Sequence, residues 1–89
     1  MRTFRNLLVT GGAGFIGSNF IRHVFAKTGY AGRIVNLDAL TYAGNPTSLE
    51  DVAAARGPRY VFVHADIRDR EAMGRIIDEY AIDAVCHFA

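Results

Sequence analysis

Four glycines follow a short apolar run near the start of the chain. The stretch Leu7–Gly17, LLVTGGAGFIG, begins with strand-forming residues, breaks into glycines and continues in a helical pattern. Glycine can adopt a positive φ and lets a ligand approach the main chain. The first N–H groups of the following helix suit a pyrophosphate. A dinucleotide-binding turn is therefore predicted. Gly11 and Gly12 would bend the chain in this turn. Gly14 would lie beneath the pyrophosphate, and Gly17 would let the helix approach the strand.

An acidic residue at the end of a second apolar run supports this prediction. Asp38 closes the run Ile34–Asp38 and lies about 20 residues beyond the last glycine, where a ribose-binding carboxylate belongs. A carboxylate accepts hydrogen bonds from both ribose hydroxyls and repels a 2′-phosphate, so Asp38 favours NAD over NADP. The alternatives are a glycine-rich turn in an unrelated α/β protein and an acid that caps a turn.

The rest of the pattern alternates strands with helices. Strands are predicted over 7–10, 33–38, 59–64 and 84–88, and helices over 14–28, from 45 or 47 to 56, and over 69–80. Right-handed crossovers then give a parallel sheet of order 3-2-1-4. The predicted fold class is α/β, a Rossmann-like and incomplete doubly wound domain. A cofactor would cross the carboxyl ends of the first and fourth strands.

Each predicted helix carries an apolar stripe that should cover the sheet. The stripes consist of Ile16, Phe20, Ile21, Val24 and Phe25 in the first helix, Leu49, Val52 and Ala53 in the second, and Met73, Ile76, Ile77 and Tyr80 in the third. Ser18 is assigned to the polar remainder of the first helix. Within the third, Glu71 and Arg75 are predicted to form an exposed pair.

Composition excludes several other classes of protein. The net charge of +1, with both signs interspersed, argues against a nucleic-acid or membrane-surface binder. Cys86 is the single cysteine, so no internal disulfide is possible, and a cytoplasmic location is expected. The spacing of the three histidines is not typical of a metal site. No apolar run is long enough to cross a membrane.

Four short stretches resemble one enzyme family. The stretch 10–18, TGGAGFIGS, resembles the glycine motif of extended short-chain dehydrogenases/reductases. The stretch 37–45, LDALTYAGN, is similar to the segment after the second strand in nucleotide-sugar 4,6-dehydratases, above all those acting on dTDP-glucose. The stretch 64–69, HADIRD, resembles their adenine-contacting segment, and 86–89, CHFA, resembles the start of their fourth-strand motif. The resemblance covers essentially the whole chain, as the N-terminal part of an NAD-binding domain.

The resemblance implies further NAD contacts besides the glycines and Asp38. They are the main chain of Phe15 and Ile16, whose side chains are expected in the core, together with Ala39, Leu40, Thr41, Asp66, Ile67, Phe88 and Ala89. Asp66 would accept a hydrogen bond from the adenine amino group, with Ile67 against the ring. The alternative for Asp66 is a turn acid before a helix. Phe88 and Ala89 would begin the wall beside the nicotinamide ribose.

The resemblance also implies a reaction. In this family, C4 of a nucleoside-diphosphate hexose is oxidised, water leaves across C5 and C6, and hydride returns to C6. The implied partners are a nucleotide sugar and a second copy of the protein. The family's Tyr-x-x-x-Lys pair is absent, because none of the four tyrosines has a lysine four residues later. No catalytic residue is assigned, and the 89 residues alone are expected to be inactive and marginally folded. A 4-epimerase and a non-catalytic NAD-binding module remain as alternatives.

Overall fold

The computed structural model describes residues 4–11, 15–39 and 49–88, with the main chain alone at Phe15. In chain order, its elements are β1 (Asn6–Thr10), α1 (Phe15–Lys27), β2 (Arg33–Asp38), α2 (Glu50–Arg56), β3 (Tyr60–His64), α3 (Arg70–Glu79) and β4 (Ala84–His87). The strands pair in parallel in the order β3-β2-β1-β4. The predicted fold and strand order are confirmed.

Apolar side chains alternate along the strands and form a core on each face of the sheet. The cluster on the face covered by α1 and α2 consists of Leu7, Val9, Ile21, Phe25, Ile34, Leu49 and Val52. The cluster on the face covered by α3 consists of Leu8, Val35, Leu37 and Ile76. Successive strand residues point to opposite faces, so apolar runs such as those of β1 and β2 belong in central strands covered on both sides.

Local turn chemistry sets most of the helix boundaries. Gly29 follows α1 with a φ of 71°, as a C-terminal glycine does. Asp69 caps α3, because its Oδ1 accepts a hydrogen bond of 3.1 Å from the Ala72 N–H. Among the described residues, helix α2 begins at Glu50 with no side-chain cap at Leu49, and the predicted starts at 45 and 47 lie outside the described residues.

Burial departs from the predicted stripes at several positions. Ile16 is 68% exposed, although its side chain was expected in the core, whereas Ser18 is buried. At 100° per residue, the buried stripe passes through Ser18, Ile21 and Phe25, and Ile16 lies on the other side of the helix. Ala53 and Ile77, which were also assigned to the apolar stripes, are exposed.

Side chains link the elements at the amino ends of the strands. The Asp83 carboxylate accepts hydrogen bonds of 2.9 Å from the Arg5 and Asn6 N–H groups at the start of β1. These bonds to the ionised form lower the pKa of Asp83. The Asn6 side chain accepts a bond of 3.1 Å from Nε of Arg33 on β2 and donates one of 3.2 Å to the Ala81 carbonyl. The starts of three strands are thereby joined to the end of α3.

A second set of links holds the turn that precedes β2. The Arg59 guanidinium donates hydrogen bonds of 3.1 Å to the Gly32 carbonyl and 2.5 Å to the Tyr30 carbonyl. Its central carbon also lies 5.3 Å from the centre of the Phe25 ring. Arg59, the residue before β3, thus links the turn to the start of β3 and also contacts α1. These contacts hold the amino ends of the strands in place, and the candidate site lies at the carboxyl ends of the same strands.

Candidate functional site

The carboxyl ends of the four strands meet at one edge of the sheet. Strand β1 pairs with β2 on one side and with β4 on the other, so the chain reverses its direction of winding at β1. Ligands of open α/β sheets bind outside the carboxyl ends of the strands at such a switch point. The described site residues cluster at this edge.

Gly11 leaves β1 in a conformation that suits glycine. Its φ is 76°, and its N–H donates a hydrogen bond of 2.8 Å to the Leu37 carbonyl on β2. An L-residue with a Cβ would be strained there. This φ fits the prediction that Gly11 begins a tight turn. Gly12 and Gly14 lie outside the described residues.

Helix α1 begins shortly after this turn. Its first residue is Phe15, its first turn contains no acidic side chain, and Gly17 is buried within it. The positive end of the helix is therefore not compensated by a carboxylate of its own first turn. Main-chain N–H groups at this position can bind the oxygens of a phosphate or pyrophosphate.

Asp38 ends β2 beside the glycine turn. Asp38 is only 9% exposed. Its main-chain carbonyl accepts a hydrogen bond of 3.2 Å from the N–H of Ala65, just after β3. Its side chain lies on the face of the sheet that α1 and α2 cover. Residues at even spacing along a strand share a face, and Asp38 has this spacing from the core residue Ile34. A carboxylate held at this position can accept hydrogen bonds from vicinal hydroxyls.

The adjoining residues extend the edge toward β3. Ala39 is half-buried, and its carbonyl lies 3.0 Å from Nε2 of His64. Ile67 is 37% exposed. Leu40 and Thr41, which the sequence assigns to the same wall, lie outside the described residues.

Asp66 carries an ion pair that the sequence analysis did not include. Its carboxylate accepts hydrogen bonds from the main-chain N–H and the guanidinium of Arg68, with a closest distance of 2.7 Å. These bonds lower the pKa of Asp66 to about 2. Asp66 is therefore ionised at neutral pH, which is the form that accepts hydrogen bonds from an amino group. Arg68 is exposed, and its guanidinium pairs with the Asp66 carboxylate.

The other side of the switch point is formed by β4. Oγ1 of buried Thr10 lies 2.5 Å from Nδ1 of His87, its register partner. The Phe88 N–H donates a hydrogen bond of 2.8 Å to the Thr10 carbonyl, and the Phe88 ring lies 5.2 Å from that of Phe20 on α1. This places an exposed aromatic edge next to the first helix. Ala89 lies outside the described residues.

Two polar contacts at this edge involve Thr10, His64 and His87, which the sequence did not assign to a cofactor. Thr10 with His87, and His64 with Ala39, each link neighbouring strand ends. Both histidines stand at the carboxyl ends of predicted strands, and that position was the available signal. The partner atoms depend on the alignment of strands that are far apart in sequence.

The described residues were compared with the requirements of a metal site and of a membrane-spanning helix. Within 4–11, 15–39 and 49–88, no group of three His, Cys, Asp or Glu side chains could hold a metal ion. A search of the same residues finds no helix with the length and hydropathy needed to cross a membrane.

Residues 8–89 match the protein family described as GDP-mannose 4,6 dehydratase. The chain belongs to this family. The matched residues run from within β1 to beyond β4 and include Gly11 and Asp38. The arrangement of Gly11 and Asp38 fits a dinucleotide, because a glycine at positive φ is hydrogen-bonded to Leu37, directly before the buried Asp38.

Individual members and neighbours of this dehydratase family resemble the chain closely. The dTDP-glucose 4,6-dehydratase of Neisseria gonorrhoeae is 52% identical over 85 residues, which are 96% of this chain and 23% of that protein. The crystal structure of dTDP-glucose 4,6-dehydratase from Bacillus anthracis in complex with NAD has a TM-score of 0.85 and 39% identity, covering 96% of this chain and 26% of that one.

A neighbour with a different activity is also similar. The UDP-glucose-4-epimerase of Stenotrophomonas maltophila, with bound NAD, has a TM-score of 0.80 and 41% identity, covering 96% of this chain and 24% of that one. The chain thus spans about a quarter of the length of the relatives that it matches. The fold of this segment is common to dehydratases and epimerases.

Proposed function

We propose that this chain is the NAD-binding part of a nucleoside-diphosphate-sugar 4,6-dehydratase. The observation that carries the proposal is the position of Asp38, buried at the end of β2 and next to the positive-φ turn at Gly11. The relatives at about half identity that are named dTDP-glucose 4,6-dehydratases support it. NAD, when bound, supplies a hydride acceptor and donor.

The residues of this chain would bind and orient that cofactor. Gly11 and Gly14, with the main chain of Phe15 and Ile16, would hold the pyrophosphate at the start of α1, and Gly17 would let the helix approach the strand. Asp38 would accept hydrogen bonds from the adenosine ribose, and its charge would disfavour NADP. The remaining proposed contacts are those at the adenosine, Ala39, Leu40, Thr41, Asp66 and Ile67, and those beside the nicotinamide ribose, Phe88 and Ala89.

The proposed substrate is a dTDP-hexose of the glucose type, converted to a 4-keto-6-deoxy sugar. Catalytic residues would lie in a part of the protein outside these 89 residues. We further propose that the protein acts as a homodimer in the cytoplasm. The single cysteine, Cys86, fits the reducing conditions of the cytoplasm.

A 4-epimerase is the second candidate, favoured by the similarity to the Stenotrophomonas enzyme. Epimerases share the cofactor half of the site, so binding of NAD does not distinguish the two activities. The Thr41–Asn45 run, TYAGN, favours the dehydratase.

The test uses the full-length protein that contains this chain. NAD and NADP are titrated first, and we expect tighter binding of NAD. The protein is then incubated with dTDP-glucose and, separately, with UDP-glucose, and the products are analysed by mass spectrometry and by NMR spectroscopy, which reports the configuration at C4. Loss of one water from dTDP-glucose supports the proposal. A product of unchanged mass and inverted C4 would establish the epimerase, and binding of NAD without turnover would indicate a non-catalytic module.

A further inference from the structure

The ends of β2 and β3 are joined beside the residue proposed to bind ribose. Asp38 and His64 are partners in the parallel register. In-register residues of neighbouring strands project to the same face, so the His64 side chain lies beside that of Asp38 on the face covered by α1 and α2. His64 is thus adjacent to the proposed site without belonging to its glycine turn.

Two successive carbonyls at the end of β2 are held from β3. The Asp38 carbonyl accepts a hydrogen bond from the Ala65 N–H at 3.2 Å. The Ala39 carbonyl lies 3.0 Å from Nε2 of His64. Because a carbonyl oxygen only accepts, Nε2 must carry the hydrogen, which fixes the ring nitrogen that donates. Main chain and side chain therefore act together on consecutive peptide groups.

The second of these hydrogen bonds lies beyond the regular ladder. The pairing of β2 with β3 ends at Asp38 and His64, and Ala39 is outside the strand. His64 is exposed, so water could hydrate its ring equally well, and the bond is not needed to satisfy a buried polar atom. The effect of the bond is geometric, because the bond fixes the main chain at Ala39, directly after Asp38.

We infer that His64 is a positioning residue of the proposed dinucleotide site. By donating to the Ala39 carbonyl, it holds the main chain on the far side of Asp38 and keeps that carboxylate aimed at the ribose hydroxyls. The inference rests on the proposed function, since it concerns the same cofactor. His64 touches neither the cofactor nor the reacting atoms in this role.

A pair of amide variants tests this role in the full-length protein. Glutamine can place its amide nitrogen where histidine has Nε2, whereas asparagine is shorter and matches Nδ1. His64→Gln should therefore preserve the contact, and His64→Asn should lose it. His64→Leu serves as a variant without a donor. Calorimetric titration with NAD and NADP is combined with thermal unfolding of the cofactor-free protein.

We expect His64→Asn and His64→Leu to bind NAD about fivefold more weakly, the effect of one lost hydrogen bond. The preference for NAD over NADP should narrow, since Asp38 supplies it. His64→Gln should bind NAD within about twofold of wild type. The thermal midpoint of all three should stay near that of wild type, because the side chain is exposed.

The outcomes separate this inference from the proposed function. Equal NAD affinity in all the variants, or equal losses in His64→Gln and His64→Asn, would overturn the positioning role while leaving the NAD site intact. A loss of affinity that follows a lowered thermal midpoint would overturn it as well. A wild-type protein that binds no NAD would overturn the proposed function, and the role of His64 with it.

Discussion

The two edges of the sheet are built differently. At the amino ends of the strands, Asp83, Asn6 and Arg33 form a continuous set of hydrogen bonds from β1 to β2 and to the end of α3. Arg33 also lies over the Tyr80 ring, 5.0 Å from its centre. This edge uses charged side chains to bind main-chain groups of the protein itself.

The carboxyl edge uses polar groups in another way. Its described links include the contacts of Thr10 with His87 and of His64 with Ala39, each joining two adjacent strand ends. Exposed apolar side chains, Ile16, Ile67 and Phe88, lie near this edge. The comparison indicates that one edge holds the scaffold, while the other keeps surface available for a ligand. Functional groups on a rigid scaffold commonly have this distribution.

Two glycines of similar conformation provide the strongest test of this difference. Gly11 has a φ of 76° at the carboxyl edge, and Gly29 has a φ of 71° at the other end of α1. Gly11→Val and Gly29→Val should each destabilise the fold by about 1–2 kcal/mol, because a β-branched residue is strained at positive φ. Gly11→Val alone should also weaken NAD binding, on the order of a hundredfold.

Calorimetric titration of both folded valine variants with NAD, alongside chemical denaturation, checks this prediction. The space around Gly29 is open, with no heavy atom within 4 Å of an added Cβ, so it isolates the effect of φ. Equal NAD affinities in the two variants would mean that the edges do not differ in function.

Two acids give the next largest contrast. Asp38→Asn should weaken NAD binding by about 10–100-fold, because hydrogen bonds to a charged acceptor are lost. The substitution should also reduce the preference for NAD over NADP, since the charge that repels a 2′-phosphate is removed. Asp83→Asn is the matched control and should leave NAD affinity unchanged. Titration of both variants with both cofactors is the measurement, and unchanged affinity in Asp38→Asn would remove Asp38 from the site.

The same Asp83 variant should alter stability in a pH-dependent manner. The pKa of Asp83 is lowered from its ordinary 3.8 by hydrogen bonds from the Arg5 and Asn6 N–H groups. A lowered folded-state pKa means that the ionised acid stabilises the fold above about pH 3.8 and that this contribution is lost as pH falls through the folded pKa. The melting temperatures of wild type and Asp83→Asn should therefore differ at neutral pH and converge in acid. A constant difference across that range would contradict this assignment.

The smallest effect is expected at the exposed pair of Asp66 and Arg68. In Arg68→Leu, the pKa of Asp66 should rise from about 2 toward its ordinary 3.8, because the guanidinium bonds are lost. Global stability should change little, since exposed ion pairs contribute little. NMR titration of the Asp66 carboxyl checks the shift. An unchanged pKa would mean that the main-chain N–H of Arg68 alone holds the carboxylate.

Local patterns were sufficient to predict the order of the elements and several site residues. The strand and helix alternation gave the correct sheet because parallel strands need crossovers of one hand. The positive φ of Gly11 agrees with the turn that the glycine pattern predicts, because turn chemistry acts over a few residues. The predicted burial of Ile16 and exposure of Ser18 were wrong. An apolar residue at a helix start can fit the apolar periodicity and still lie on a side of the helix that the sheet does not cover.

By itself, then, the sequence determined the parallel order 3-2-1-4, the glycine turn after β1 and the acid at the end of β2. Each follows from periodicity or from the conformational limits of one or two residue types. Only the tertiary structure decided that Asp83 binds the N–H of Asn6, 77 residues away, and that His64 reaches the Ala39 carbonyl. Such contacts depend on the register and spacing of strands in three dimensions, which no local pattern in the chain specifies.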